Sequence, residues 1–412
     1  MTTLTQYRAR RLDQSLPGLL ALHPALMIVG PRGVGKTTTA ARHAASVVRL
    51  DDARQARAFE ADADAALEGL SEPVLLDEWQ AVPGVLAAVK RAVDTEPRRG
   101  RFLLTGSVTA EVDPATWPGV GRVIRVPMHP LTVAERQGRR TEPFLERVAA
   151  GEPLPAAPEA PGLRDLIRIA VAGGFPEPLF GAGSAGGPQW YRSYADHIAI
   201  RGAPGVERRF DAGRLRNFLD ACALGSMRGV SFQTLHEAAG VNGRTGADYW
   251  RHLERLGMVW EIPAWASNRL KRLVRRPKRS VADCGFWAAL LDADPESVVE
   301  DGDLLGPALE IFVAAQLRAE TGAPEGKYAL HHLREAQGRR EVDLVAVGPR
   351  GRTIGIEVKA TAAPVFRDGR HLAWLRDQLG ERFLAGVVLH TGQASYPLGE
   401  RVRAAPISTL WA

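Results

Sequence analysis

The residues Gly30-Pro-Arg-Gly33-Val-Gly35-Lys36-Thr37 match G-x-x-x-x-G-K-[ST] at every fixed position, directly after an apolar run and before a helical one. That is the setting of a phosphate-binding loop. Its glycines let backbone N–H groups turn toward phosphate oxygens, and the helix start behind them favours negative charge. Lys36 then reaches the β- and γ-phosphates, Thr37 ligates Mg2+, and Thr38 belongs to the same binding loop. Further on, Val74-Leu-Leu-Asp77-Glu78 is an apolar strand ending in two carboxylates, which places Asp77 near Mg2+ and leaves Glu78 to polarise a hydrolytic water. Together the two segments predict ATP hydrolysis. Phe102-Leu-Leu-Thr-Gly-Ser107 is a third element of this kind, in which Thr105 or Ser107 could sense the γ-phosphate; an ordinary strand-to-turn cap accounts for them equally well.

A second set of chemical groups lies near the C-terminus. Glu341-Val-Asp343-Leu-Val-Ala-Val, the turn Gly348-Pro-Arg-Gly351 and Ile354-Gly-Ile-Glu357-Val-Lys359 read as a hairpin. Strand alternation puts Glu357 and Lys359 on one face. Carboxylates of this kind can hold Mg2+, or equally Mn2+, while a neighbouring lysine helps a water attack a phosphodiester. The pattern resembles the PD-(D/E)xK nuclease signature, which implies Asp343, Glu357 and Lys359 as catalytic residues and Glu310, on the preceding helix, as a further acid. Its metal ligands would be Glu310, Asp343 and Glu357. Val342 stands where that signature has proline, and Asp343 with Lys359 as a plain cross-strand ion pair is the structural alternative.

The elements that must position these groups fall into three regions. Residues 1–162 read as a parallel α/β domain, with buried strands at Ala25 to Val29, Val74 to Leu76, Phe102 to Leu104 and Val123 to Val126, followed by a proline-rich linker. Residues 163–280 read as helical, and Phe232 to Ala239, the turn Gly240 to Gly243, a helix through Tyr249, Leu253 and Leu256, and the strand Met258 to Ile262 suggest a winged helix-turn-helix. Residues 281–412 read as the α/β domain that carries the hairpin, with a helix from Pro307 and Ala308 to Ala319. Between the last two regions, Arg269 to Arg279 holds seven basic residues in eleven and no acidic one. Such a run suits a nucleic-acid backbone, as does Arg244, Arg251, His252 and Arg255 on the second helix; a solvated basic face is the alternative. His331-His332 lacks ligand spacing and reads as structural.

Composition narrows the class. Hydrophobic residues make up 45% and charged residues 24% of 412, ordinary globular usage that excludes wholesale disorder, collagen and coiled coil. The longest apolar stretch is broken by His23 and Pro24, too short for a bilayer span. Two cysteines exclude a disulfide scaffold, and no secretory segment is apparent, so the expected compartment is the cytoplasm, without a membrane partner. The net charge is +6, and only six of the 53 basic residues are lysine, so arginine clusters weigh less than a lysine at a motif position.

The loop, Leu-Leu-Asp-Glu-Trp-Gln, Leu-Leu-Thr-Gly-Ser, Gly-Arg-Val-Ile-Arg-Val-Pro-Met-His-Pro-Leu-Thr-Val-Ala-Glu, Ala172-Gly-Gly-Phe-Pro176, Pro277-Lys278 and Asp283-Cys-Gly285 resemble the prokaryotic AAA-type ATPases that carry a C-terminal domain of unknown function. The resemblance runs along nearly the whole chain. It implies a homo-oligomer in which an arginine serves a neighbour's nucleotide; Arg122 is the candidate and Arg125 its rival, with a plain surface charge as the alternative. The expected architecture is therefore an AAA-type P-loop sheet, a helical and winged-helix middle, and a restriction-endonuclease-like C-terminal α/β domain. The expected function is Mg2+-dependent ATP hydrolysis on nucleic acid, DNA first, with a metal-dependent nuclease. The alternative is an ATP-dependent switch or scaffold whose nuclease fold only binds.

Overall fold

The computed structural model describes residues 7–106, 121–158, 160–181, 183–200, 210–266, 276–322, 326–335 and 340–412. Its N-terminal part is a sheet of five parallel strands, β1 (Ala25–Val29), β2 (Ser46–Arg49), β3 (Val74–Asp77), β4 (Phe102–Thr105) and β5 (Val123–Pro127), in the order β2-β3-β4-β1-β5. Strand alternation explains why the sheet is covered on both sides. Ala25, Met27, Val74, Leu76, Phe102 and Leu104 face one core, which α-helix Gly84–Thr95 closes with Val85, Leu86 and Val89. Leu26, Ile28, Leu75 and Leu103 face the other, closed by α1 (Arg11–Leu22) through Leu12, Leu16 and Leu20. Because all five strands run the same way, β1, β3 and β4 deliver their C-terminal ends to one edge, where Ile28, Thr105 and Asp77 are in register.

The middle region is helical, from α2 (Leu163–Val171) and α3 (Gly183–Ile200) to α4 (Ala212–Leu224), α5 (Phe232–Ala238) and α6 (Gly243–Arg255). Ser231 caps α5 through the Thr234 amide at 3.0 Å, and Asn242 caps α6 through the Thr245 amide at 2.9 Å. Gly240, at φ 65°, makes the turn between them. A two-stranded antiparallel ribbon follows, β6 (Val259–Ile262) on β7 (Lys278–Val281). Helices α7 (Cys284–Leu290) and α8 (Pro295–Glu300) then pack back on α2 and α3, so by packing the helical region extends past residue 280, where the sequence suggested its end.

The C-terminal part is a six-stranded mixed sheet built from β8 (Ala329–Arg334), β9 (Glu341–Val347), β10 (Thr353–Lys359), β11 (Phe383–His390), β12 (Tyr396–Gly399) and β13 (Val402–Pro406), in the order β12-β13-β11-β10-β9-β8. One face packs on α9 (Gly302–Thr321) through Leu309, Phe312 and Val313; the other packs on α10 (Arg370–Leu379) through Leu372 and Leu375. Helix α9 starts before the proline expected to open it. Asp301 caps it through the Asp303 amide at 2.8 Å, and the Asp303 carbonyl that Pro307 leaves without its helical donor accepts the Arg228 guanidinium instead. The ribbon is tied to this sheet: the Trp265 amide donates to the His332 carbonyl at 2.6 Å, and the His332 amide to the Pro263 carbonyl at 3.0 Å. No helix among the described residues is long and apolar enough to cross a membrane.

Candidate functional site

The nucleotide loop forms where the parallel strands end together. At Gly30 a Cβ would lie 2.1 Å from the Met128 carbonyl oxygen, so glycine alone lets the segment after β5 close on the loop. Gly33 and Gly35 have φ of 76° and 101°, conformations that an L side chain resists. Between them Val34 is fully buried, and the Arg10 guanidinium braces its carbonyl at 2.9 Å while bonding Glu135 at 3.2 Å. The loop is thus held from outside before any phosphate arrives.

Lys36 opens the short helix Lys36–Ala41, with Thr37 and an exposed Thr38 behind it. Its Nζ donates to the Gly30 and Pro31 carbonyls at 3.0 and 2.9 Å, which holds it over the loop and leaves one N–H for a phosphate oxygen. Burial pulls its pKa down to about 8 against the opposing pull of Glu78 and Asp77; bound phosphate oxygens would return the favourable field that burial removes. Asp77 Oδ1 accepts from Thr37 Oγ1 at 2.7 Å and from Thr105 Oγ1 at 2.6 Å. Thr105 therefore orients Asp77 from the neighbouring strand, a role that register decides. Ser107 lies outside the described residues.

Glu78 leaves β3 in the left-handed region, φ 51° and ψ 44°, which costs a non-glycine residue about 1 kcal/mol and turns its carboxylate out of the strand line. The Gln80 side-chain amide donates to that carboxylate. Gly106 makes room for this: a Cβ there would stand 2.1 Å from Gln80 Oε1. Gln80 and Gly106 lie beside Glu78 and Thr105 in sequence, but only the fold shows that they act on the Glu78 carboxylate.

Arg122 is not part of this chain's own nucleotide site. It precedes β5, whose first residue pairs with Ala25 at the start of β1, so it sits a strand length, roughly 16 Å, from the loop edge. There it pairs with Asp94 at 2.8 Å. Arg125 lies exposed within β5.

Two elements of the middle region rest on the loop. Tyr194 on α3 donates its hydroxyl to the Arg32 carbonyl at 2.8 Å, and Trp190, one turn earlier, stacks on Tyr194 at 4.8 Å and lies against Gly33. Gly257, directly after α6, has φ 73°, and a Cβ there would lie 3.1 Å from the Pro31 ring. None of these contacts was foreseen, because aromatic residues at i and i+4 read as core.

The C-terminal groups also come together, with lysines among the carboxylates. The β9–β10 ladder runs from Thr353–Val347 to Ile356–Leu344, and beyond it Asp343 Oδ2 accepts the Val358 amide at 2.9 Å. Lys359 Nζ pairs with Glu357 Oε2 at 2.8 Å on the shared face that alternation predicts. Glu310 does reach the cluster from α9, but its Oε2 is bonded at 2.7 Å to Lys278 Nζ, which also stands 3.7 Å from Asp343 Oδ1. Burial and then the Asp343 charge push the carboxyls of Glu310 and Glu357 upward. His371 on α10, which sequence did not suggest, places Nδ1 2.7 Å from the Glu341 carbonyl and 3.9 Å from Glu357. Among the described residues no group of three or more His, Cys, Asp or Glu side chains is placed to hold a metal ion. Glu310, Asp343 and Glu357 thus lie in one cluster, and the ammonium of Lys278 stands beside two of them.

The basic run is corrected in part. Arg269 to Arg275 lie outside the described residues, Lys278 is buried, and Arg279 pairs with Glu261 at 2.8 Å beneath Phe232 and Trp250. These last two are internal charges rather than a solvated face. Arg244, Arg251 and Arg255 are exposed on α6, whereas His252 is buried.

Comparison with known proteins agrees with the first site. Residues 22–137 match the family described as AAA domain. The N-terminal domain is a P-loop ATPase. Residues 163–297 and 305–410 match two families described as domains of unknown function, DUF8612 and DUF4143. Uncharacterized proteins of Mycobacterium bovis and Mycobacterium tuberculosis are each 27% identical over 392 residues, covering 94% of this chain and 81% of theirs. A solved Walker-type ATPase of Pyrococcus abyssi aligns with 71% of this chain and 100% of its own at 14% identity and a TM-score of 0.43.

Proposed function

We propose that this ATPase is a nucleotide-controlled switch on nucleic acid, DNA in the first instance, and that its C-terminal α/β domain is a nuclease-like fold used for binding. The observation that carries the reading is the seating of Trp190, Tyr194 and Gly257 on the phosphate loop. In hydrolysis the loop amides and Lys36 hold the β- and γ-phosphates. Thr37 and Asp77 have the oxygen donors to hold Mg2+, which when bound supplies charge neutralisation on the phosphate oxygens. Glu78 takes the proton of the attacking water as its oxygen bonds the γ-phosphorus and the bond from that phosphorus to the β–γ bridging oxygen breaks, with ADP as the leaving group and phosphate as the other product. Once that phosphate has departed, Lys36 keeps the loop carbonyls and the β-phosphate but loses its γ-phosphate contact.

A shift at Arg32 or Pro31 acts directly on α3 and on the α6–β6 junction. From that junction β6 leads to the backbone bonds with β8, and its partner β7 carries Lys278 into the carboxylate cluster. Arg244, Arg251 and Arg255 on α6, with Arg367 and Arg370 beside a Phe366 that is 71% exposed, suit a phosphate backbone and a base to stack on. Arg122, remote from its own loop, suits a neighbouring copy's nucleotide in a cytoplasmic homo-oligomer. A second reading, Mg2+- or Mn2+-dependent cleavage at Asp343 and Glu357, is favoured by one observation: Glu357 Oε1 is buried without a hydrogen bond.

Duplex DNA is expected to stimulate ATP turnover, and Trp190→Ala to remove most of that stimulation. Coupling through packed contacts of this kind is worth about 0.5–2 kcal/mol, or roughly two- to thirtyfold. Equal stimulation in wild type and variant, or none in either, would contradict the switch.

A further inference from the structure

Lys278 is the least expected member of the C-terminal cluster. It lies on β7, in the ribbon rather than in the sheet, and only 2% of its side chain is exposed. Its Nζ stands 2.7 Å from Glu310 Oε2 and 3.7 Å from Asp343 Oδ1, between two of the three acids that a PD-(D/E)xK site would give to a metal. A buried ammonium is tolerated only when paired. Burial alone would lower its pKa, but Glu310 and Asp343 more than offset that and hold it charged.

Two further oxygens of the cluster are engaged, while Glu357 Oε1 stays buried without a hydrogen bond. Asp343 Oδ2 takes the Val358 amide and Glu357 Oε2 takes Lys359. Mg2+ needs oxygen ligands at about 2.1 Å that face one another with near-octahedral freedom, and these carboxylates face ammonium groups instead. The two lysines differ in how readily they could give way. Lys359 is 36% exposed and can swing into solvent, whereas Lys278 is fixed by a paired strand and packed along its length.

We infer that Lys278 is the built-in counter-ion of this cluster, standing in place of a divalent metal, so that the C-terminal domain engages its partner without metal-dependent strand cleavage. The inference rests on the nuclease-like reading of the domain but not on the ATP switch. Glu310 and Asp343, which would otherwise repel one another, are held together by a side chain from the ribbon, and the ribbon is the element that runs to the nucleotide loop.

The test is Mn2+ titration of the full-length, nucleotide-free protein, read by electron paramagnetic resonance of free Mn2+ and by thermal unfolding with and without the ion. Four proteins are compared: wild type, Asp343→Asn, Lys278→Met and the double variant. Wild type and Asp343→Asn are expected to give the same titration. Lys278→Met, which keeps the stem and removes the charge, is expected to bind one further Mn2+ about tenfold or more tightly than wild type. It should also gain thermal stability from the ion, and both effects should disappear in the double variant. Mn2+ bound by wild type and lost in Asp343→Asn would overturn the inference, as would a folded Lys278→Met that gains no site. Should Lys278→Met not fold, wild type against Asp343→Asn decides alone. DNA binding is not read at any point, so a failed switch and a failed counter-ion give different results.

Discussion

Glu78→Gln is expected to bind ATP as wild type does and to hydrolyse it about a hundred- to ten-thousandfold more slowly, the range a positioned general base contributes. The structure separates the two roles. In the proposed mechanism phosphate contacts would come from the loop and Lys36, and Mg2+ contacts from Thr37 and Asp77, which share a hydrogen bond of 2.7 Å. Glu78 enters neither set. It is turned out of β3 by its left-handed backbone and held by Gln80 over the edge where the strands end. Glutamine preserves the size and the Gln80 contact but cannot take a proton. Single-turnover hydrolysis beside a nucleotide-binding titration checks this, and a wild-type rate in the variant would remove Glu78 from the reaction.

Asp283→Ala is expected to cost about 3 kcal/mol, the sum of a lost helix cap at the Phe286 amide and one further buried amide, that of Gly174, left without an acceptor. Asp283 is buried at the start of α7, where Oδ1 accepts the Phe286 amide at 3.0 Å and Oδ2 the Gly174 amide at 2.7 Å. Gly174 in turn accepts the Leu131 amide at 2.7 Å, just beyond β5, and a Cβ on Gly174 would lie 2.5 Å from the Leu131 carbonyl oxygen. This turn is a joint between the ATPase domain and the helical region. Thermal unfolding should show the first transition lowered by roughly 5–10 °C, and DNA stimulation of ATP turnover should fall with it. An unchanged transition would show that the joint is held elsewhere.

The ATP site was legible because its chemistry is local. Glycines, lysine and threonine fall within one loop, and a doubly covered parallel strand announces itself as a short apolar run ending in Asp77 and Glu78. What fixes these groups was less visible. The choice of Thr105 as Asp77's partner depends on strand register, and Arg10 acts from outside every motif. The C-terminal cluster shows the limit more sharply. Glu310, Asp343, Glu357 and Lys359 could be named from their spacing, whereas Lys278 could not, because it sits in an arginine-rich run that reads as one basic face. Only the pairing of β7 with β6, and of the ribbon with β8, turns that residue inward. Trp190 and Tyr194 were hidden for a similar reason: their spacing is that of any buried helix face.

The most direct test of the switch is the affinity of a labelled DNA duplex for Glu78→Gln, measured by fluorescence anisotropy at one fixed salt concentration with ATP and then with ADP. Salt is fixed because phosphate contacts make any such affinity ionic-strength dependent. The account predicts affinities that differ by about fivefold or more, the usual lower bound of coupling between two sites, and a difference that vanishes in Lys36→Ala. The same affinity in both nucleotide states, or no binding of DNA in either, would contradict it.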